Sequence, residues 1–318
     1  MGALILILCL NAAVDKTVVV DRLRLRRLNR PGRVLTLPGG KGINVARVLA
    51  RLGEQPLVLG FTAGYTGVFI ESALREEGLP ARWLRLAAGQ SRTCLAILHG
   101  RGGPDPGRGA PTELNEAGAV IGARDLRRLT RECGALARRS RLVILSGSLP
   151  PGCPPDTYAR LIQEVRRHGR RVFLDTSAPA LKPALTARPD LVKLNRDEAA
   201  SLGLPVGRPA ALARALENGA ELGARDTIVT LGPAGAVAFL GGRRLMAEPP
   251  KVRSISPVGC GDTFLAAFAR ETLRGVDPRR ALAFATAVGT ASALVPGAGV
   301  VRLADVGPIL RKVRVKEL

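Results

Sequence analysis

The segment Pro257-Val258-Gly259-Cys260-Gly261-Asp262-Thr263-Phe264 joins a glycine-rich turn to a helix expected to run to about Arg274. Glycines ahead of a helix let several backbone N–H groups converge on one point, and the helix dipole adds positive potential there. Such a turn suits an anion. Asp262 cannot ligate an anion, but it can take a proton from a hydroxyl. A base beside an oxyanion cradle is the equipment for moving a phosphoryl group onto an alcohol. The plain alternative is a Gly-rich turn in which Asp262 caps the helix.

Three further segments have residue types of the same kind. In Pro38-Gly39-Gly40-Lys41-Gly42-Ile43-Asn44, Gly39 and Gly40 let a ligand approach the backbone, while Lys41 and Asn44 can grip hydroxyls or phosphate. The G-x-x-x-x-G-K-[ST] pattern of a P-loop is absent. In Lys193-Leu194-Asn195-Arg196-Asp197-Glu198, Asn195 and Glu198 stand three apart on the first turn of a helix. They can hold a hydrated Mg²⁺ near nucleotide phosphates, or they can simply form an Asn-x-x-Glu capping box. Thr230-Leu231-Gly232-Pro233-Ala234-Gly235-Ala236 reads as a strand-to-strand turn, an ordinary hairpin or one whose glycines border a purine.

These segments need a frame. Strand-like apolar runs at Ala3–Leu10, Pro56–Phe61, Leu142–Leu145, Val172–Leu174, Leu191–Leu194 and Thr227–Leu231 alternate with helical patterns. The amphipathic stretches include Ile43–Leu52, Val68–Glu77, Asp125–Arg139 and Asp156–Arg167, and Ala281–Val295 reads as a buried helix. Alternation of this kind implies an α/β fold with a mostly parallel sheet and helices on both faces. Lys16–Leu37 and Thr93–Leu114 break the pattern as exposed β segments, and Arg22-Leu23-Arg24-Leu25-Arg26 alternates like a strand. Within the second of these segments, GRGGPDPGRGAP is expected to be a mobile loop. Inserted strands of this kind suit a flap over a cleft. The expected organisation is one domain spanning residues 1–318, with a β lid built from about 15–37 and 92–115.

Composition narrows the chemistry. Five cysteines in 318 residues have no C-x-x-C spacing, which argues against a zinc ribbon or dithiol site. Two histidines leave little for a metallohydrolase or a Ser-His-Asp triad. The apolar start MGALILILCL has no basic residue ahead of it and reads as a first strand rather than a signal peptide. No apolar run reaches the ~18 residues of a membrane span, so a cytoplasmic protein without a membrane partner is expected. The formal charge of +22 comes mostly from 41 arginines and raises the question of nucleic acid. No zinc-finger spacing, aromatic RNA-binding signature or basic zipper accompanies it, so nucleic acid is not expected as a partner.

Taken in order, GGKGINVARVL, SGSLPPG, KLNRDE, TLGPAGA and PVGCGDTF resemble the phosphofructokinase B branch of the ribokinase-like sugar kinases, essentially end to end. The resemblance implies a three-layer α/β/α sandwich with a small β lid that often mediates dimerisation, so a homodimer is expected. It implies ATP and Mg²⁺ as cofactors, with a monovalent cation left open. Asp262 matches the catalytic base, and Gly259, Cys260 and Gly261 match the amides facing the transferred phosphoryl group; Cys260 replaces the usual Ala. Lys193, Asn195 and Glu198 match the nucleotide region, with Glu198 holding Mg²⁺ through water and Leu194 replacing the usual Pro. Thr230, Gly232 and Gly235 match the ATP pocket. Asp15, Gly39, Gly40, Lys41 and Asn44 match sugar-binding positions.

In Ser91-Arg92-Thr93, Arg92 matches the group that holds the phosphate already on the sugar, and Arg30 of Asn29-Arg30 matches a lid contact. An arginine fork suits a sugar phosphate and has no use with a free sugar. Thr112–Gly118 looks like the 1-phosphofructokinases, yet those carry Asn and Lys where this chain has Cys94 and Ala96. Ser91–His99 looks more like the tagatose-6-phosphate kinases. The resemblance therefore implies a phosphohexose kinase, with 1-phosphofructokinase first and tagatose-6-phosphate kinase and 6-phosphofructokinase as alternatives. A nucleic-acid-binding protein on a kinase fold is the reading from a different class.

Overall fold

A computed structural model of the protein describes residues 4–99, 111–218 and 222–318. Its strands are β1 (Leu4–Cys9), β2 (Ala13–Val20), β3 (Arg33–Gly39), β4 (Pro56–Thr62), β5 (Ala81–Arg85), β6 (Arg92–His99) and β7 (Thr112–Asn115), then β8 (Ser140–Ser146), β9 (Arg171–Asp175), β10 (Leu191–Asn195), β11 (Asp226–Thr230), β12 (Ala236–Leu240), β13 (Arg243–Glu248) and β14 (Arg314–Glu317). The α-helices are α1 (Lys41–Arg51), α2 (Gly64–Glu76), α3 (Ala123–Ala137), α4 (Thr157–Arg167) and α5 (Leu181–Leu185), then α6 (Arg196–Ser201), α7 (Pro209–Glu217), α8 (Cys260–Leu273), α9 (Pro278–Ser292) and α10 (Leu303–Leu310).

Strand β1, LILILC, is apolar at every position, so both of its faces must be covered. It lies inside a ten-stranded sheet of order β14-β13-β12-β11-β10-β9-β8-β1-β4-β5. Pairing is parallel from β5 through to β11 and antiparallel among β11, β12, β13 and β14. Ile5, Ile7 and Cys9 face a core shared with α1, α8 and α9, while Leu6, Leu8 and Leu10 face one shared with α3, α4 and α7. Two separate apolar clusters on the two faces make the expected three layers. On α8 and α9, Ala266, Ala267, Ala285 and Ala291 are fully buried in this core, small side chains taking the place of scarce aromatics. The expected buried helix at Ala281–Val295 is α9, starting three residues earlier at a Pro whose neighbour Asp277 caps it. No helix among the described residues is long and apolar enough to cross a membrane.

A second, four-stranded sheet has the order β3-β2-β6-β7, with β2 and β6 parallel and both outer pairs antiparallel. The expected β segments are therefore present, with one correction. Arg22–Arg26 is a turn, not a strand. Asn29 causes this: its side chain accepts from Arg24 N–H at 2.9 Å and donates to the carbonyls of Arg24 and Arg27 at 2.8 and 2.9 Å. A short amide that bonds the backbone in this way competes with strand pairing. Leu25, on the apolar side of that alternation, is 82% exposed because no layer lies beneath it. The Gly- and Pro-rich segment expected to be a mobile loop lies outside the described residues.

The topology decides where a site can form. The chain leaves β1 for β4 on one side and returns at β8 on the other, so the order reverses next to β1. In open parallel sheets a crevice opens at the carboxyl ends of the strands at such a point. Asn11 after β1, Gly147 after β8, Asp175 at the end of β9 and Asn195 at the end of β10 all border it.

Candidate active site

Helix α8 begins at Gly259, whose φ of 79° is left-handed; a Cβ there would lie 2.8 Å from Ala298 Cα. Both facts call for glycine. Asp262, third in the helix, does not cap it, which removes the plain alternative for this segment. It is 5% exposed and accepts a hydrogen bond from Asn44 Nδ2 at 2.9 Å across 218 residues of chain. The N–H groups of Gly261 and Asp262 belong to the first helical turn, which lacks intrahelical acceptors. Of the expected cradle amides of Gly259, Cys260 and Gly261, that of Cys260 points away, to Pro257 O at 3.3 Å. Burial raises the Cys260 thiol's pKa, and its Sγ lies 3.8 Å from Ser256 O. The cysteine therefore contributes no thiolate here.

Four charged side chains meet beside this turn. Lys41 Nζ bonds Asp175 Oδ1 at 2.8 Å and Glu198 Oε1 at 3.4 Å, and Lys193 Nζ bonds Asp175 Oδ2 at 3.0 Å. Lys193 also packs on the cradle, since a Cβ on Gly261 would sit 2.8 Å from its Nζ. Burial works to raise the pKa of Asp175, but the two ammonium groups outweigh it and hold the carboxyl down at about 2. For Lys41, burial opposes the charge, and Asp175, Glu198 and Asp262 more than offset it, so its pKa is raised. Asp262 goes the other way. Burial and then the Asp175 charge push it up to about 7, against smaller opposing effects of Lys41, Lys193 and Asn44. Two buried carboxylates among two cations thus divide their roles: one stays ionised and the other is poised near neutrality.

On the opposite wall, Asp15 lies over the glycine turn, where a Cβ on Gly39 would fall 2.0 Å from its Oδ2. Gly40 N–H donates to Asp15 Oδ2 at 3.4 Å, and burial raises the Asp15 pKa against that bond and the Arg92 and Arg47 charges. Arg92 donates through Nε to Asn11 O at 3.1 Å. Asp15, Cys94 and Asn115 are cross-strand partners, so they share the face of the small sheet that carries Asp15 and Arg92. Ala96 and Glu113 are likewise paired. The segment 112–118 is thereby tied to this wall: Asn11 Nδ2 donates to Ala117 O at 3.1 Å. Arg30 is not brought in; it is exposed on the 21–32 connection and bonds no described residue.

At the carboxyl end of β10, Asn195 and Glu198 do form a capping box, with bonds of 2.7 and 2.8 Å. The cap does not exhaust the carboxylate, because Oε1 of Glu198 faces only Lys41 at 3.4 Å. Among the described residues, no group of three or more His, Cys, Asp or Glu could hold a metal by itself. The Oε1 of Glu198 suits a divalent cation that keeps several waters and shares its remaining contacts with substrate phosphates. Thr230 pairs with Asn195 across β10 and β11 and donates to Leu194 O at 3.2 Å, and Gly232 and Gly235 form the turn beyond it. These three border the cluster without bonding it.

The resemblance implies sugar contact for Lys41; in the structure its ammonium bonds Asp175 and Glu198. Sequence reasoning also missed Asp175 and Arg47. The only signal for Asp175 was a carboxylate ending the apolar run Val172-Phe173-Leu174, and for Arg47 its spacing of three from Asn44.

The pfkB family carbohydrate kinase model matches residues 7–303. The chain resembles phosphofructokinase-2 from Escherichia coli at 26% identity over 98% of this chain and 99% of that one. Its TM-scores are 0.86 for the complex with potassium and 0.85 for the complex with fructose-6-phosphate. A possible 1-phosphofructokinase from Thermotoga maritima shares the fold, with 20% identity, TM-score 0.84 and 99% of both chains covered. So does a ribokinase from Arabidopsis thaliana complexed with ribose and ATP, at 22% identity, TM-score 0.75 and coverage of 98% and 99%. Because that family model spans most of a chain with this α/β/α architecture, the protein belongs to the PfkB family of carbohydrate kinases, phosphotransferases that act on a sugar hydroxyl and use ATP and a divalent metal.

Proposed function

We propose that this kinase phosphorylates a hexose phosphate, foremost fructose 1-phosphate at its 6-hydroxyl, to give fructose 1,6-bisphosphate and ADP. The observation that carries the chemistry is Asp262, buried, bonded to Asn44 and adjoining both lysines and the amide turn. In this reading Asp262 removes the proton of the acceptor hydroxyl as the new O–P bond forms and the bond to ADP breaks. Gly261 and Asp262 N–H groups, with Lys193 and Lys41, take up charge on the transferred phosphoryl group. Glu198 would hold Mg²⁺ through water, and the ion would supply positive charge against the ATP phosphates. Asp15 and the remaining Asn44 N–H position the sugar.

The substrate assignment draws on Arg92 and on residues 112–118, which sit on the wall that carries Asp15. Tagatose 6-phosphate and fructose 6-phosphate are the competing acceptors. An ADP-release assay with Mg-ATP decides among these three and ribose by kcat/KM. A preference for ribose would overturn the phosphohexose reading.

Two expectations follow. Arg92→Ala should raise KM for the sugar phosphate roughly 10- to 100-fold, the scale of a lost charge-assisted hydrogen bond, and leave KM for ATP in place. A change confined to KM for ATP would remove Arg92 from the acceptor site. Second, a base must be ionised, so kcat/KM should rise with pH up to about 7, the Asp262 value, and fall below it by about tenfold per unit. We further propose that residues 1–318 form one kinase domain in the cytoplasm, with the small sheet as its lid and dimer contact. Val34 and Leu114, 53% and 58% exposed on the sheet's other face, would supply apolar contact.

A further inference from the structure

Arg47 is 7% exposed in helix α1, and its guanidinium makes five hydrogen bonds. Nε and Nη2 fork onto Glu77 at 2.7 and 3.0 Å, and Nη2 also reaches Pro38 O at 2.6 Å. Nη1 donates to Asn44 Oδ1 and to Ala298 O, both at 3.2 Å. An arginine can only donate, so the acceptor end of the Asn44 amide must face it. The donor end is thereby left toward Asp262 at 2.9 Å. A flipped amide would set N–H against guanidinium and carbonyl oxygen against carboxylate, two repulsions in a buried site.

The same guanidinium joins the walls of the site. Pro38 is the next-to-last residue of β3, just ahead of helix α1, and Ala298 is the residue against which Gly259 packs. Gly299 lies on Asn44, where a Cβ would come within 2.8 Å of Asn44 Cα. Glu77, at the end of α2, anchors the fork from outside.

We propose that Arg47 is a positioning residue that locks the Asn44 amide with its N–H on the Asp262 carboxylate and registers the acceptor turn against the phosphate turn. The inference rests on the reading of Asp262 as the base. Asp262 is otherwise faced by Lys41 from α1, Asp175 at the end of β9 and Lys193 from β10. None of these changes when Arg47 is replaced. The charge of Arg47 also acts on Asp15, so charge and geometry have to be separated.

Arg47→Lys separates them, because it keeps the charge but not the planar fork. We expect kcat to fall roughly tenfold or more with KM for ATP unmoved. The acid limb of kcat/KM should move up by roughly one pH unit, the scale of one hydrogen bond to a charged group. Asn44→Ala should move the limb the same way, and the double variant should add little. An unshifted limb and wild-type kcat in Arg47→Lys would overturn the proposal. Should that variant fail to fold, Glu77→Gln, which loosens the anchor, must show a smaller upward shift, and an unshifted limb there is equally fatal. Asp262→Asn runs alongside: if it keeps wild-type turnover, the base assignment falls. If it is inactive while the Arg47→Lys profile is unchanged, the base stands and only the role of Arg47 is lost.

Discussion

Asp262→Asn is expected to lower kcat by roughly 10²–10⁴, the usual scale for loss of a general base, while the protein becomes more stable at neutral pH. The two effects share one cause. Burial and the neighbouring Asp175 charge raise the Asp262 pKa from 3.8 to about 7, so folding favours its protonated form. The wild-type protein therefore loses stability as pH rises from about 4 to about 7, and above that the loss is constant. An amide of the same shape cannot ionise and can still accept from Asn44. The variant's stability advantage should be near its minimum at pH 4, widen up to pH 7 and then level off at on the order of 1–4 kcal/mol. Thermal unfolding at pH 5 and 8 together with single-turnover kinetics checks both halves. Unchanged turnover would remove Asp262 from the chemistry, and an unchanged Tm difference across that range would contradict its raised pKa.

Asp175→Asn should have the opposite stability effect. Asp175 is fully buried between Lys41 and Lys193, and Lys193 is itself only 3% exposed. Removing the carboxylate leaves a buried ammonium without its partner, which costs about 3–5 kcal/mol. The pKa of Asp175 is depressed to about 2, so its contribution is present above about pH 4 and fades as pH falls toward 2. Catalysis should suffer as well, since both lysines lose the group that aims them at the phosphate turn. The surviving activity carries a distinctive mark. The Asp175 charge raises the Asp262 pKa, so without it the acid limb of kcat/KM should move below 7. An upward shift, or a variant as stable as the wild type, would contradict this account of the cluster.

Legibility in the sequence followed the range of the interactions involved. The strand of six apolar residues at Leu4–Cys9, the helix opened by Lys41 and the turn at Gly259–Gly261 each obey a local rule: burial on two faces, amphipathic spacing, or glycine before a helix. The capping box at Asn195 and Glu198 is local too, and it was visible as one of two readings. The Arg22–Arg26 alternation misled for the converse reason. Its period was right for a strand, but the apolar side had no layer to meet, and Asn29 offered the backbone a closer partner.

What sequence by itself determined was the set of chemical groups and the local turns that present them: a carboxylate at a helix start, glycines for an anion, and lysines at strand and helix ends. What only the tertiary structure decided was which charge meets which. Lys41 and Asp175 are 134 residues apart in sequence, and Asn44 and Asp262 are 218 apart. No periodicity encodes such pairs, because they arise only where parallel strands bring their carboxyl ends to one crevice. There burial strengthens every Coulombic term, so the proton settles on Asp262 while Asp175 keeps its charge.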